Sequence, residues 1–243
     1  MELAVAGLTV RFGAVAALDR VDLEVASGER RALIGPNGAG KTTLLNVIAG
    51  ELRPAAGSVR LGKRDATSLA PWRRARLGLG RTFQRSTLFG QLTVSENVAL
   101  AVRARIHSSW RFWPAGERSV GEEVKRRLET AGLPHLAGRR VATLGHGEQR
   151  ILELELALTG APSALLLDEP MAGLSGVERQ AALTRLLALP REVTLVIVEH
   201  DLDAVFAIAE RISVLDHGVK IADGTPEAIR ADLRVQEAYL GAV

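Results

Sequence analysis

The segment Leu33-Ile34-Gly35-Pro36-Asn37-Gly38-Ala39-Gly40-Lys41-Thr42-Thr43 carries the spacing G-x-x-x-x-G-K-[ST] at residues 35–42. Small residues at 35, 38, 39 and 40 let successive backbone N–H groups converge on one oxyanion without side-chain interference. A helix starting at Lys41 would add its positive end to that cradle, completed by Asn37, Gly38, Ala39, Gly40, Lys41, Thr42 and Thr43. Lys41 suits the β- and γ-phosphates of a nucleotide, and the Thr42 hydroxyl suits Mg²⁺. The chain has four lysines, at 41, 63, 125 and 220, among 31 basic residues. Against that arginine preference, a lysine at 41 fits a need for a compact charge on a flexible stem.

Further residues extend the chemistry. Ala164-Leu165-Leu166-Leu167-Asp168-Glu169-Pro170 is an apolar strand pattern ending in two carboxylates. Asp168 is expected to hold Mg²⁺ opposite Thr42, and Glu169, on the other face of the strand, to polarise a water toward the γ-phosphate. Val196-Ile197-Val198-Glu199-His200-Asp201 repeats the design, with His200 placed to donate to the γ-phosphate or to orient the attacking water. Gln84, in Thr82-Phe83-Gln84, offers an amide oxygen to Mg²⁺ and to that water. Phe12 is either a stacking face for adenine or a core residue. His107, His135 and His217 read as surface residues.

A second glycine-rich turn, Leu144-Gly145-His146-Gly147-Glu148-Gln149-Arg150, precedes a helix-like run and offers another anion site at residues 145–148. One nucleotide does not need two cradles within one chain. The surplus makes sense if the second cradle serves a neighbouring subunit.

These residues need a scaffold. Strand patterns cover Leu3–Val10, Val21–Val25, Arg30–Ile34 and Ser58–Leu61, then return at Ala164–Leu167, Val193–Val198 and Ile212–Leu215. Between Phe83 and Gly160 apolar residues recur at helical spacing, through Val94–Val102, Val124–Leu133 and Arg150–Leu158. Alternating strands and helices imply an α/β fold with a mainly parallel, helix-covered sheet and an inserted helical subdomain. The expected division is 1–84 with 161–243 as the nucleotide-binding core, and 85–160 as the helical insertion. Ile106–Gly116, with Trp110, Phe112, Trp113 and Pro114, reads as its irregular loop.

Composition sets outer bounds. At 243 residues, 47% hydrophobic and 24% charged, the chain has the balance of an ordinary globular protein. No apolar run approaches the ~18 residues of a membrane span. Met1-Glu2-Leu3 lacks a secretory n-region, so a cytosolic location is expected. With no cysteine, disulfides and zinc–thiolate sites are excluded. Net charge is +3, and the arginine clusters at 73–76, 103–105, 126–127 and 139–140 are interrupted by acidic residues. Aromatics are 4% and do not alternate with basic residues, so a nucleic-acid partner is not expected.

Taken together the chain resembles an ATP-binding-cassette (ABC) ATPase along essentially its whole length. Residues 35–42 match the Walker A motif of that family, Gln84 its Q-loop and 144–148 its signature. Asp168 with Glu169 matches Walker B plus the catalytic glutamate, 172–175 the D-loop and His200 the switch histidine. Arg11-Phe12-Gly13, Gly80-Arg81-Thr82-Phe83-Gln84, Leu167 to Leu174, Glu199 to Phe206 and the ending Ala238-Tyr239-Leu240-Gly241 resemble ATPase subunits of bacterial branched-chain amino acid importers. ATPases of lipid or lipopolysaccharide exporters and soluble non-transport ABC proteins are the alternative relatives.

The resemblance implies a P-loop NTPase fold with Lys41, Gln84, Glu169 and His200 catalytic, and Thr42, Gln84 and Asp168 holding Mg²⁺. It implies two ATPs between head-to-tail subunits, each bound by one chain's 35–43 loop with Phe12 and by Gly145, His146, Gly147 and Glu148 of the other. The implied partners are transmembrane permease subunits, a second ATPase subunit in a homo- or heterodimer and, indirectly, an extracytoplasmic solute-binding protein. The implied place is the cytoplasmic face of the inner or plasma membrane. Two positions depart from the family pattern. Gly145 stands where the signature has serine, and Ser175 where the D-loop ends in aspartate or asparagine.

Overall fold

The computed structural model describes residues 1–82, 88–108 and 117–240. Gln84 and the Trp110–Pro114 aromatics therefore lie outside the described residues. The described chain forms two compact units, Met1–Arg81 with Ser163–Glu169 and Leu189–Val243, and Thr82–Pro162 with Pro170–Ala188.

The first unit holds two sheets. One has the order β10-β9-β3-β8-β7-β6, built from β3 (Arg30–Ile34), β6 (Leu79–Arg81), β7 (Ala164–Asp168), β8 (Thr194–Val198), β9 (Arg211–Asp216) and β10 (Val219–Gly224). The pairs β9–β3, β3–β8, β8–β7 and β7–β6 are parallel, and β9–β10 is antiparallel. Every residue of β3, β7 and β8 is buried, as strands covered on both faces require. This is the expected parallel α/β sheet.

The other sheet is antiparallel, with order β2-β1-β4-β5 from β1 (Leu3–Phe12), β2 (Val15–Val25), β4 (Ala56–Leu61) and β5 (Arg64–Asp65). Local pattern marks three of these strands but not their antiparallel pairing, the first half of β2 or, in the other sheet, β10. Alternation explains the exposure: Val21, Leu23 and Val25 are buried while Asp22 and Glu24 face out. Leu3, Val5, Leu8 and Val10 join Leu44, Leu45, Val47 and Ile48 of α1 (Lys41–Ala49) in one core that also takes Leu166, Val196 and Val198. Gly50 ends α1 at φ 86°, its N–H bonding back to Asn46 O and Val47 O. A short helix α2 (Pro71–Arg76), α7 (Leu202–Ile208), α8 (Pro226–Ala231) and α9 (Leu233–Leu240) complete the unit.

The second unit is helical: α3 (Val94–Ser108), α4 (Glu117–Ala131), α5 (His146–Thr159) and α6 (Gly176–Leu187), with 3-10 turns at Pro134–Leu136 and Val141–Thr143. Helix α3 takes residues 106–108 out of the expected loop. Its core follows i, i+4 spacing, with Val94, Val98 and Val102 against Val120, Val124 and Leu128, plus Leu144 and Leu152. Glu155 of α5 is 1% exposed and bridges Arg127 of α4 and Arg185 of α6. No helix among the described residues is long and apolar enough to cross a membrane.

Candidate functional site

Strand order gathers three loops at the C-terminal edge of the parallel sheet, where α/β sheets place ligands. Val198 pairs with Leu33 of β3 on one side and Asp168 of β7 on the other. The 35–40 loop, the Asp168–Glu169 turn and the Glu199–His200 turn therefore leave from adjacent strands.

The loop has the left-handed angles its glycines permit, with Gly38 at φ 82° and Gly40 at φ 100°. Gly40 is also fixed by packing, since a β-carbon there would stand 2.6 Å from Ala17 O and 2.8 Å from Leu18 Cδ2. Gly40 caps α1 with no side-chain hydrogen bond, so the first N–H groups of the helix face into the loop rather than a protein cap. Asn37 and Gly38 are exposed and Ala39 buried. Lys41 is 6% exposed, and its Nζ donates to Gly35 O at 2.8 Å and Pro36 O at 2.9 Å. Burial pulls its ammonium below the usual range, against the opposing carboxylates of Glu169 and Asp168.

Thr42 Oγ1 donates to Asp168 Oδ1 at 3.4 Å. Asp168 is fully buried, which pushes its carboxyl above the usual range. The Arg81 guanidinium is the strongest opposing influence, while Glu169 adds to the upward push. A desolvated carboxylate beside a hydroxyl is a hard-oxygen pair that a divalent cation fits. No group of three His, Asp or Glu side chains among the described residues could cage a metal. Mg²⁺ commonly takes one or two protein oxygens together with substrate phosphates and water, which is the arrangement this pair can serve.

Glu169 corrects the expectation from strand alternation. β7 ends at Asp168, and Glu169 turns off it at φ 50° with its N–H donating to Val198 O at 2.9 Å. A left-handed backbone, not the period of the strand, aims its side chain. His200 stands two residues beyond β8, and its Nε2–H donates to Glu169 Oε1 at 2.9 Å. Sequence pattern directs His200 toward phosphate or water, and its contact with this carboxylate is a finding of the structure. Phe12 is 56% exposed at the end of β1, which removes core packing and leaves an open ring face.

In the helical unit, Gly145 is the N-cap of α5 and its N–H donates to Glu148 Oε2 at 2.8 Å. His146 is exposed and Gly147 buried. Ser175, the second departure, caps α6: its Oγ accepts from Glu178 N–H, and its own N–H and Oγ donate to Glu178 Oε2 at 2.9 and 2.6 Å. Serine thus retains the capping duty that aspartate or asparagine would perform there.

Three residues escaped the sequence reading. Arg81 donates to Asn46 Oδ1 at 2.5 Å and Leu45 O at 3.4 Å and pairs with Glu51 at 3.2 Å, joining β6 to the phosphate-loop helix near Asp168. Arg74, 1% exposed, donates to Val47 O and Ile48 O at 2.7 Å each, at the C-terminal end of α1. Nothing in the run Arg73-Arg74-Ala75-Arg76 separates it from its exposed neighbours. Glu178 was legible, because Ser175-Gly176-Val177-Glu178 has capping-box spacing.

Comparison with known proteins gives the family and the fold. The family model described as ABC transporter matches residues 18–172, and that of a branched-chain amino acid ATP-binding cassette transporter matches 219–243. The chain is 40% identical to the high-affinity branched-chain amino acid transport ATP-binding protein LivG of Salmonella typhimurium, over 98% of this chain and 97% of that one. It is 38% identical, with the same coverage, to BraF of Pseudomonas aeruginosa, which carries the same description. The crystal structure of the ADP conformation of MJ1267, an ATP-binding cassette of an ABC transporter, superposes with a TM-score of 0.86 at 32% identity, covering 99% of both chains. The dimeric post-hydrolysis state of the cassette MJ0796, bound to ADP and Pi, superposes at 0.81 with 26% identity, over 92% of this chain and 98% of that one.

Proposed function

The chain belongs to the ABC transporter family of ATP-binding cassettes, and on that premise we propose that it is the ATP-hydrolysing subunit of an importer for branched-chain or related amino acids. Agreement between near-full-length likeness to LivG and BraF and the separate match at 219–243 carries the solute class. The subunit works peripherally at the cytoplasmic face of the membrane, in a dimer of ATPase chains beneath transmembrane permease subunits. An extracytoplasmic solute-binding protein delivers the solute.

ATP lies on the 37–43 loop of one chain, its adenine against Phe12, and its γ-phosphate meets residues 145–148 of the other chain. Contact with both chains makes ATP favour the closed dimer, and hydrolysis removes that differential contact. The backbone of 38–43 and Lys41 stabilise phosphate charge, with Lys41 leaving its carbonyl partners to do so. Thr42, Asp168 and Gln84 are the residues that would hold Mg²⁺, which when bound neutralises charge on the β- and γ-phosphates. Glu169 accepts the proton of the attacking water, and His200 holds the Glu169 carboxylate in place through its Nε2–H. The helical unit, Thr82–Pro162 with Pro170–Ala188, passes closure to the permease.

The test is an affinity pull-down of Glu169→Gln with ATP from detergent-solubilised native membranes, with partners identified by mass spectrometry. Polytopic permeases and a solute-binding protein of the amino acid class are expected. Recovery of ribosomes or DNA-repair proteins instead would overturn the transport reading.

A further inference from the structure

The cap of α6 and the first turn of α5 share one carboxylate. Glu178 Oε2 receives the N–H and Oγ of Ser175. The same carboxylate lies over Gly147, where an added β-carbon would collide with both its oxygens. Beside it, Gly173 at φ 75° approaches the His146 ring so closely that a β-carbon would stand 3.0 Å from Cδ2 and Nε2. Two residues of the 173–178 segment, Gly173 and Glu178, are thus packed on His146 and Gly147 at the start of α5. Gly147 is fixed by this approach within the chain, whatever it also offers a phosphate.

The arrangement has a physical cause. Each helix begins with N–H groups that lack intrahelical acceptors and carry partial positive charge. The Glu178 carboxylate satisfies such a group at its own helix, the Ser175 N–H, and its closeness to Gly147 sets the same negative charge beside the first turn of α5. Hydrogen bonds from Ser175 keep the Glu178 carboxyl below its usual range, and His146 pulls in the same direction. A capping box needs only the bonds within 175–178. The contact with Gly147 goes beyond what capping requires.

We propose that Glu178 is a positioning residue that ties the 145–148 turn to the 172–175 segment, so that both move as one body when two subunits close on ATP. This rests on the reading of 145–148 as the contact to the partner's nucleotide. Without the Glu178 carboxylate the two segments can adjust separately, and closure loses the advance ordering of its contact surface. Binding of ATP to the phosphate loop of the same chain does not involve Glu178.

The experiment places Glu178→Ala, Glu178→Gln and Ser175→Ala in the Glu169→Gln chain, together with the ATPase subunit that co-purifies with it. ATP-driven association is followed by sedimentation, and KM and kcat are measured for the same variants with Glu169 intact. Glu178→Ala should raise the ATP needed for half-association by about fivefold or more. It should raise KM more than it lowers kcat and leave the affinity of the dilute monomer for a fluorescent ATP analogue unchanged. Glu178→Gln, which can still accept from Ser175, should fall between. Ser175→Ala, which loses the cap but keeps the carboxylate over Gly147, should change least. Association of Glu178→Ala equal to or tighter than the parent's would overturn the proposal, as would a full effect from Ser175→Ala, which reduces the role to capping. Failure of the Glu169→Gln parent to associate with ATP would instead bring down the dimer reading, and this proposal with it.

Discussion

Glu169 and His200 meet at the C-terminal edge of the parallel sheet, the His200 Nε2–H donating to Glu169 Oε1 at 2.9 Å. They come from neighbouring strands, β7 and β8, and neither lies within its strand. A backbone at φ 50° is uncommon for glutamate and is maintained here by the Glu169 N–H bond to Val198 O. The fold thus spends strain on directing one carboxylate, and the histidine fixes where it points.

That pairing yields the first prediction. Glu169→Gln should retain ATP binding, accumulate the ATP-bound dimer and lose at least about 100-fold in turnover, because an amide cannot accept the proton of water. His200→Ala should also lose turnover. The double variant should be about as impaired as the worse single one, since residues acting as a unit are not additive. Phosphate-release kinetics of the three variants decide this, and normal hydrolysis by Glu169→Gln would rule out the assigned base.

Gly145 supports a gain-of-function prediction. Its φ of −64° is open to any residue, and a β-carbon there would meet only Glu148 Oε2, at 3.7 Å. Gly145→Ser therefore fits without strain and adds a hydroxyl where the family signature has one. A hydrogen bond to a charged group contributes about 1.5–3 kcal/mol, so ATP-driven dimerisation should tighten by about tenfold or more. An unchanged ATP dependence would show that Gly145 does not weaken closure.

How much of this was legible beforehand differs by residue. The 35–43 loop, Asp168 and His200 stand at ends of apolar runs, and local pattern suffices to place them at strand ends of a mainly parallel sheet, while the order β3-β8-β7 that brings them together is seen only in the structure. Gly145 and Ser175 were visible as departures, and the capping-box spacing of 175–178 already points to the cap that Ser175 forms on α6. The antiparallel pairing of β1 with β2 and β4 depends on register between distant segments, with Leu3 opposite both Val25 and Leu61, which no local period encodes. Arg74 and Arg81 were invisible for a related reason. Burial, not residue type, separates them from surface arginines, and burial is a property of the packed chain.

Arg74 gives a stability prediction. Its guanidinium is buried and donates to Val47 O, Ile48 O, Leu69 O at 3.0 Å and Thr67 O at 3.1 Å. Two of these acceptors close the phosphate-loop helix, where a cation is favoured by the helix dipole. Arg74→Met keeps the apolar stem but takes a donor from four carbonyls, of which Val47 O retains the Gly50 N–H, at a cost of about 3 kcal/mol. The exposed neighbours Arg73→Ala and Arg76→Ala should stay within about 0.5 kcal/mol. Urea unfolding compares the three, and equal effects would show that the buried bonds contribute nothing special.

The last prediction concerns acid. Asp223 joins Arg31 at 2.5 Å, Arg211 at 2.5 Å and Ser213 at 2.7 Å, tying β10 to β9 and β3. Burial alone would raise its carboxyl. The hydrogen bonds from Arg211 and Ser213, with the charges of Arg31 and Lys220, outweigh burial and hold it below the usual range. A folded-state value below the unfolded one means that the unfolded chain takes up the proton first as pH falls. The contribution is therefore complete above the unfolded carboxylate value of about 4 and disappears as pH drops through the depressed folded value. Asp223→Asn should be less stable than the parent by about 2 kcal/mol at pH 7, because Arg31 is 4% exposed and loses one of its anionic partners. Urea unfolding at pH 7, 5, 4 and 3 should show a constant gap down to about pH 5 that narrows below about pH 4. A gap that stays constant to pH 3 would mean that the carboxylate charge of Asp223 is not what stabilises this corner of the sheet.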